Sequence, residues 1–91
     1  MAWQISYSAT AEKQLSKLDR AVTKRIYDFL RNRIARLDDP RSLGKPLKGS
    51  QFEDLWRYRV GDYRIITHIE DDVLTILVVT IGNRKDVYRA S

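Results

Sequence analysis

From Trp3 to Tyr7 apolar and polar positions alternate, which places Trp3, Ile5 and Tyr7 on one face and predicts a strand. At Ser8 the period lengthens. Ser8 reads as an N-cap for a helix over residues 9–18, with Ala11, Leu15 and Leu18 at i, i+4 and i+7 as a narrow apolar stripe. Asp19 can cap a second helix over 20–37, whose apolar positions Val22, Ile26, Phe29, Leu30 and Leu37 share one face. Its opposite face carries Lys24, Arg25, Asp28 and Arg31. So short a connection predicts an antiparallel helical hairpin, and Asp38-Asp39-Pro40 ends it.

Residues 38–52 read as a loop, with Pro40, Gly44, Pro46 and Gly49 as breakers and Arg41, Lys45 and Lys48 as cations. Period-2 alternation then returns. Glu53 to Val60 puts Trp56, Tyr58 and Val60 on one face and Leu55, Arg57 and Arg59 on the other. Gly61-Asp62 is a two-residue hairpin signal. The next strand, Tyr63 to Glu70, sets Arg64, Ile66 and His68 against Tyr63, Ile65, Thr67 and Ile69. After Asp71-Asp72, the stretch Val73 to Ile81 is apolar on both faces and predicts a central strand. A short edge strand is expected around Asp86–Tyr88. The class is α+β, in the order β-α-α-β-β-β, with a helical hairpin packed on one face of a mainly antiparallel sheet. The sheet partner of the first strand does not follow from the pattern.

Composition narrows the options. Ninety-one residues fit one domain, 1–91, with one core and little room for a deep enclosed cavity. An apolar share of 43% argues against disorder. The absence of Cys excludes disulfides, a thiol nucleophile and a cysteine zinc site, and the lone His68 excludes a histidine metal cluster. No metal or cofactor is expected. No segment has the length of a membrane span or the pattern of a signal peptide, so a cytoplasmic location is expected.

The net charge of +5 is unevenly placed. Residues 1–50 carry 11 basic and 5 acidic side chains, whereas residues 51–91 carry 6 and 7. In the second half all the basic residues but Lys85 are arginines, whose planar fork matches phosphate oxygens. Arg57 and Arg59 project from one strand face, and the hairpin brings Arg64 within one or two cross-strand steps of Arg59. Three guanidiniums on an open face repel one another. Either an anionic ligand accounts for them, or each pairs with Glu53, Asp54, Asp62 or Glu70 or covers the sheet with its stem.

The run Gly44-Lys45-Pro46-Leu47-Lys48-Gly49, then Leu55-Trp56-Arg57-Tyr58-Arg59-Val60-Gly61-Asp62-Tyr63-Arg64-Ile65-Ile66, then Ile81-Gly82-Asn83-Arg84-Lys85-Asp86-Val87-Tyr88-Arg89 resembles the RelE/ParE toxin superfamily, on the RelE side. The resemblance covers nearly the whole chain. It implies an mRNA endoribonuclease that cuts messenger RNA in the ribosomal 30S A site without a metal, by attack of the ribose 2′-OH on the adjacent phosphorus. It implies a cognate antitoxin as partner, and mRNA and the ribosome as targets. Arg57 and Arg59 fall where RelE proteins carry a basic pair, commonly lysines. Arg64 falls on the Tyr-Arg motif, Arg84 and Tyr88 on the C-terminal arginine and tyrosine, and Lys48 on a basic loop residue. These imply a catalytic set of Arg57, Arg59, Arg64, Arg84 and Tyr88, with Arg41, Lys45, Lys48, Lys85 and Arg89 holding RNA backbone.

The chain departs from the family at Arg57, where a lysine could serve as base, and at Asn83, where many relatives have His. His68 shares the Arg64 side of its strand and is a candidate substitute. Weak or absent cleavage of free RNA is expected, because the ribosome must align the substrate. The competing readings are a ParE-like inhibitor of DNA gyrase on the same scaffold, and a basic RNA-binding module without activity.

Overall fold

Ser8 ends the first strand and starts the first helix with one side chain. Its Oγ accepts from the Ala11 amide at 3.0 Å and donates to the Val79 carbonyl at 2.6 Å. The cap is therefore also a tie to the far end of the chain. The computed structural model describes residues 3–47 and 55–83. In it β1 (Gln4–Tyr7) leads into α1 (Ala9–Ser16) and α2 (Arg20–Phe29). Asp19 holds the N-cap position of α2, but its side chain makes no capping hydrogen bond.

The second helix is not the uniform α-helix over 20–37 that periodicity predicts. After Phe29 it widens into a π-turn over Leu30–Ile34, closed by the Ala35 amide on the Leu30 carbonyl at 2.8 Å. The reason lies in the core. Ile26, Leu30 and Ile34 are all fully buried against the sheet. The next buried residue is Ala35, whose carbonyl accepts from the Trp3 amide at 2.8 Å. The extra residue in the turn lets the helix end where β1 begins.

The predicted loop also holds structure. Pro40–Ser42 form a 3₁₀ turn capped by Asp39, and Lys45–Pro46 form a two-residue strand, β2. Tyr58 fixes this segment. Its hydroxyl donates to the Pro40 carbonyl at 2.7 Å, and a Cβ placed on Gly44 would lie 3.0 Å from its ring. A side chain at this position would press on the ring, which would have to give by a few tenths of an ångström.

β3 (Leu55–Val60) and β4 (Tyr63–Glu70) form the predicted hairpin. Gly61 has φ of 59° and Asp62 does not adopt a positive φ, the pattern of a type II′ turn. The strand after it, β5 (Thr75–Asn83), starts two residues later than predicted. The turn after Glu70 consumes Asp71–Val73 as 3₁₀ and Leu74 in the left-handed region at φ 46°, leaving Val73 60% exposed.

Among the described residues the sheet runs β1-β5-β4-β3-β2. β5 is internal, as its two apolar faces predict. β1 pairs with it in parallel, Gln4 opposite Thr75 and Tyr7 opposite Val78, while the other pairs are antiparallel. That parallel pair supplies the partner the sequence left open. Both helices cover one face, where Tyr58, Ile65, Ile76, Val78 and Ile81 complete the core. The edge strand expected around residues 86–88 lies outside the described residues.

Candidate functional site

The register of β3 and β4 decides where the arginines meet. Arg59 stands directly opposite Arg64, and Arg57 opposite Ile66. Lys45 of β2 stands opposite Arg57. Directly opposed residues share a sheet face, as do residues two apart. Lys45, Arg57, Arg59 and Arg64 therefore occupy one face, opposite the helices. Lys45, read from sequence as a loop residue, joins them because the loop closes into a strand.

The reverse side of the same strands explains their stiffness. Tyr58 and Ile65, a cross-strand pair on the helix side, are 1% and 0% exposed. The cationic side chains thus rise from a backbone whose other face is locked in the core.

Arg64 differs from its neighbours. It is buried at 7% exposure, and its Nη1 has no hydrogen-bond partner. Arg59 is exposed. Among the described residues no carboxylate lies within ion-pair distance of Arg59 or Arg64. The alternative of internal pairing therefore does not account for these two. A buried polar group left unsatisfied costs about 1–3 kcal/mol, and more when charged. Two like charges directly opposite on a sheet add repulsion. Folding gains nothing from this pair; a bound anion would remove both penalties.

His68 lies on the same face, opposite Leu55 and two residues beyond Ile66. Four positions of strand separate it from Arg64, about 13 Å at ~3.3 Å per residue.

Arg41 is placed elsewhere. Its guanidinium forks onto Asp71 at 2.6 and 3.1 Å, reaches Asp39 at 3.4 Å and lies 5.9 Å from the centroid of the Trp56 ring. Trp56 packs against the helix-side core. Arg41 thus ties the loop to the β4–β5 turn rather than joining the cationic face. This contact holds the Asp71 carboxyl below its ordinary range. Burial pushes Tyr58 up to about 12, so its hydroxyl remains a donor to Pro40 at neutral pH.

Arg84, Tyr88, Lys48, Lys85 and Arg89 lie outside the described residues. No sequence pattern signals the burial of Arg64, nor the role of Tyr58 and Gly44 as supports of the segment that carries Lys45. Among the described residues no group of three His, Asp or Glu side chains is arranged to hold a metal ion. None of the described helices is long and apolar enough to cross a membrane.

Known proteins share the sequence pattern and the fold of this chain. Residues 5–88 match the family model described as the ParE toxin of the type II toxin–antitoxin system parDE. Toxin RelG of Mycobacterium tuberculosis is 27% identical, over 98% of this chain and 99% of its own. Toxin RelE of the same organism is 30% identical, over 96% of this chain and 87% of its own. The fold matches a crystal structure of the M. tuberculosis toxin–antitoxin complex RelBE2 with a TM-score of 0.83 at 24% identity, covering 92% of this chain and 93% of that one. By these matches the chain belongs to the RelE/ParE superfamily of type II toxin–antitoxin toxins.

Proposed function

We propose that the protein is a ribosome-dependent mRNA endoribonuclease. The observation that carries this reading is the buried, unpartnered guanidinium of Arg64 beside Arg59, on a face with Arg57 and Lys45. In the reaction the 2′-oxygen of a ribose loses its proton and bonds to the adjacent phosphorus. The bond from phosphorus to the 5′-oxygen of the next nucleotide breaks, and that oxygen gains a proton. The products are a 2′,3′-cyclic phosphate and a 5′-OH. Negative charge grows on the non-bridging oxygens on the way. Donors already fixed at that point stabilise the transition state more than the ground state.

Arg64 is the principal phosphate donor, because its side chain is held by burial and needs no reorganisation. Arg59 and Arg57 supply the adjoining charge, and Lys45 extends the path of the RNA backbone. Arg84 and Tyr88 complete the set on the family resemblance, with Lys48, Lys85 and Arg89 as backbone contacts. A cognate antitoxin is the regulatory partner; the M. tuberculosis relative RelBE2 is itself a toxin–antitoxin complex. The cytoplasm, where ribosomes and messenger RNA meet, is the site of action.

Primer extension on mRNA bound to ribosomes tests the reading. The expected result is cleavage by the wild type on the ribosome, little on free RNA, and loss with Arg64→Ala. A supercoiling assay runs beside it, because the matching family model is that of ParE toxins. Blocked supercoiling with intact mRNA would replace nuclease activity with gyrase inhibition.

A further inference from the structure

β5 does not run evenly past β4. Thr67 stands opposite Val78 and Ile66 opposite Thr80, so Val79 has no partner across the ladder and forms a bulge. The bulge exchanges the faces of the strand. Before it, Ile76 and Val78 fill the helix-side core. After it Ile81 does so, at 2% exposure, although Val78 and Ile81 are three positions apart. Gly82 is thereby the residue directly opposite Arg64. Had the register of Thr67 and Val78 continued unbroken, Thr80 would face Ile65 in the core. The Ile81 side chain would then stand opposite Arg64, on the cationic face.

The bulge lies where β5 has lost its other neighbour. β1 ends at Tyr7, opposite Val78. Beyond that point two side chains take the place of a strand. The Ser8 hydroxyl donates to the Val79 carbonyl at 2.6 Å. The Gln14 carboxamide, from α1, spans the next two residues. Its Oε1 accepts from the Ile81 amide at 2.6 Å, and its Nε2 donates to the Thr80 hydroxyl at 2.9 Å. One side chain thus presents an acceptor and a donor side by side, as a neighbouring backbone would. The two bonds cross 67 and 66 positions of sequence, and no periodicity or charge pattern singles Gln14 out.

We infer that Gln14 is a positioning residue for mRNA cleavage: by holding the bulge, it keeps Gly82 rather than a branched side chain opposite the Arg64 guanidinium. The inference rests on the nuclease reading and deepens it. Arg64 is 7% exposed and its Nη1 is without a partner. A phosphate reaching that nitrogen comes in across the strand positions beside it, so what those positions carry decides whether it fits. Gly82 leaves the one across β5 without a side chain. Gln14 acts through the backbone of β5 and not on the RNA. Bulges beside active sites commonly serve to re-aim side chains in this way, and a displacement of about 1 Å at a reacting centre can cost on the order of 100-fold in rate.

Three variants test this. Gln14→Met removes both hydrogen bonds and keeps the length of the side chain. Gln14→Glu keeps an acceptor for the Ile81 amide. Gly82→Val leaves the hydrogen bonds in place and sets a branched side chain opposite Arg64. Single-turnover cleavage of mRNA on ribosomes, followed over a range of toxin concentrations, separates the maximal rate from half-saturation. Hydrogen exchange of the Ile81 amide, read by NMR on ¹⁵N-labelled toxin, reports on the bulge. For Gln14→Met the maximal rate should fall ~10-fold, with half-saturation changed less than about twofold, because the loss is in the transition state rather than in binding. Its Ile81 amide should exchange at least ~10-fold faster, having lost its acceptor. Gln14→Glu should recover most of the rate, and Gly82→Val should lose as much as Gln14→Met. A wild-type maximal rate in Gln14→Met beside faster Ile81 exchange would make Gln14 a structural tie alone and overturn the inference. So would an Ile81 amide that exchanges no faster, or equal losses in Gln14→Met and Gln14→Glu. If Gln14→Met does not fold, Gly82→Val decides, and full cleavage by that variant overturns the inference. Each of these leaves a wild type that cleaves; mRNA left intact by the wild type would remove the nuclease reading and this inference together.

Discussion

Arg41 and Arg64 lie at opposite faces of the same sheet. Arg41, on the exposed 3₁₀ turn, has Asp71 in a forked pair, Asp39 beside it and Trp56 beneath it. Arg64 is 7% exposed, with one nitrogen that nothing accepts from and another arginine directly opposite. Water would have served Arg41 without any partner, yet Arg41 has two. Water cannot reach the Nη1 of Arg64, yet that atom has none. Satisfaction of a charge by its own chain marks a structural role. A charge kept buried and unsatisfied marks a place prepared for something else. By this criterion the proposed site takes the strand arginine and leaves the loop arginine to the scaffold.

The sharpest way to break the contrast is to remove the charge at Arg64. Arg64→Leu should reduce mRNA cleavage on ribosomes by ~100- to 1000-fold, the usual cost of losing one fixed donor to a developing anion. The same variant should be more stable to urea by about 1 kcal/mol or more, because an unpaired buried charge is gone. Lower stability together with unchanged cleavage would reverse the assignment. Next in size, Arg59→Ala should weaken cleavage less than Arg64→Leu does. It should also flatten the dependence on salt, since an exposed cation contributes mainly by counterion release. A cleavage-against-salt series on both proteins measures this.

The support beneath the cationic face can be tested separately. Tyr58→Phe leaves the Pro40 carbonyl without its donor and should cost about 1–3 kcal/mol in urea denaturation. Burial raises Tyr58 and Tyr7 to about 12 in the folded protein. Their ordinary value is 10.0, so the unfolded chain releases these protons first. Stability is then unaffected below about pH 10 and falls as pH rises from there toward 12. Absorbance of tyrosinate followed beside circular dichroism should show ionisation and unfolding together in that interval.

The smallest effect is expected at Arg41. Asp71→Asn removes an exposed pair and should change stability little at neutral pH. Because the pair lowers the Asp71 pKa, its contribution is present above the ordinary value of 3.8 and is lost as pH falls through the folded value. Wild type and Asp71→Asn should therefore converge in acid. A large loss of cleavage in this variant would move Arg41 from scaffold to site.

The local parts of the fold were legible in the sequence. Ser8, the i, i+4, i+7 stripe, the Gly61-Asp62 turn and the alternation around Arg57 and Arg59 each act over a few residues. The hairpin fixed the Arg59–Arg64 pair for the same reason. What was not legible depends on distant partners. The parallel pairing of β1 with β5 joins segments about 70 residues apart in sequence. The π-turn answers to where Trp3 and Ala35 must meet. β2 has only two residues, and its existence depends on Tyr58 gripping Pro40 and closing on Gly44. The burial of Arg64 is likewise a property of its surroundings rather than of its own segment. Sequence alone placed the arginines on one face but did not separate Arg64 from Arg41, which the structure holds in opposite ways.

Ser8 donates to Val79 across 71 positions of sequence, and among the described residues β1 pairs only with β5. As the chain leaves the ribosome, β1 has no seat until β5 follows. A chain interrupted before Thr75 lacks the middle of its own sheet, and the ladder that aligns Arg59 with Arg64 has one flank bare. Maturation of the fold is thereby deferred until β5 has been made, so copies interrupted earlier carry Arg57, Arg59 and Arg64 without the frame that aligns them.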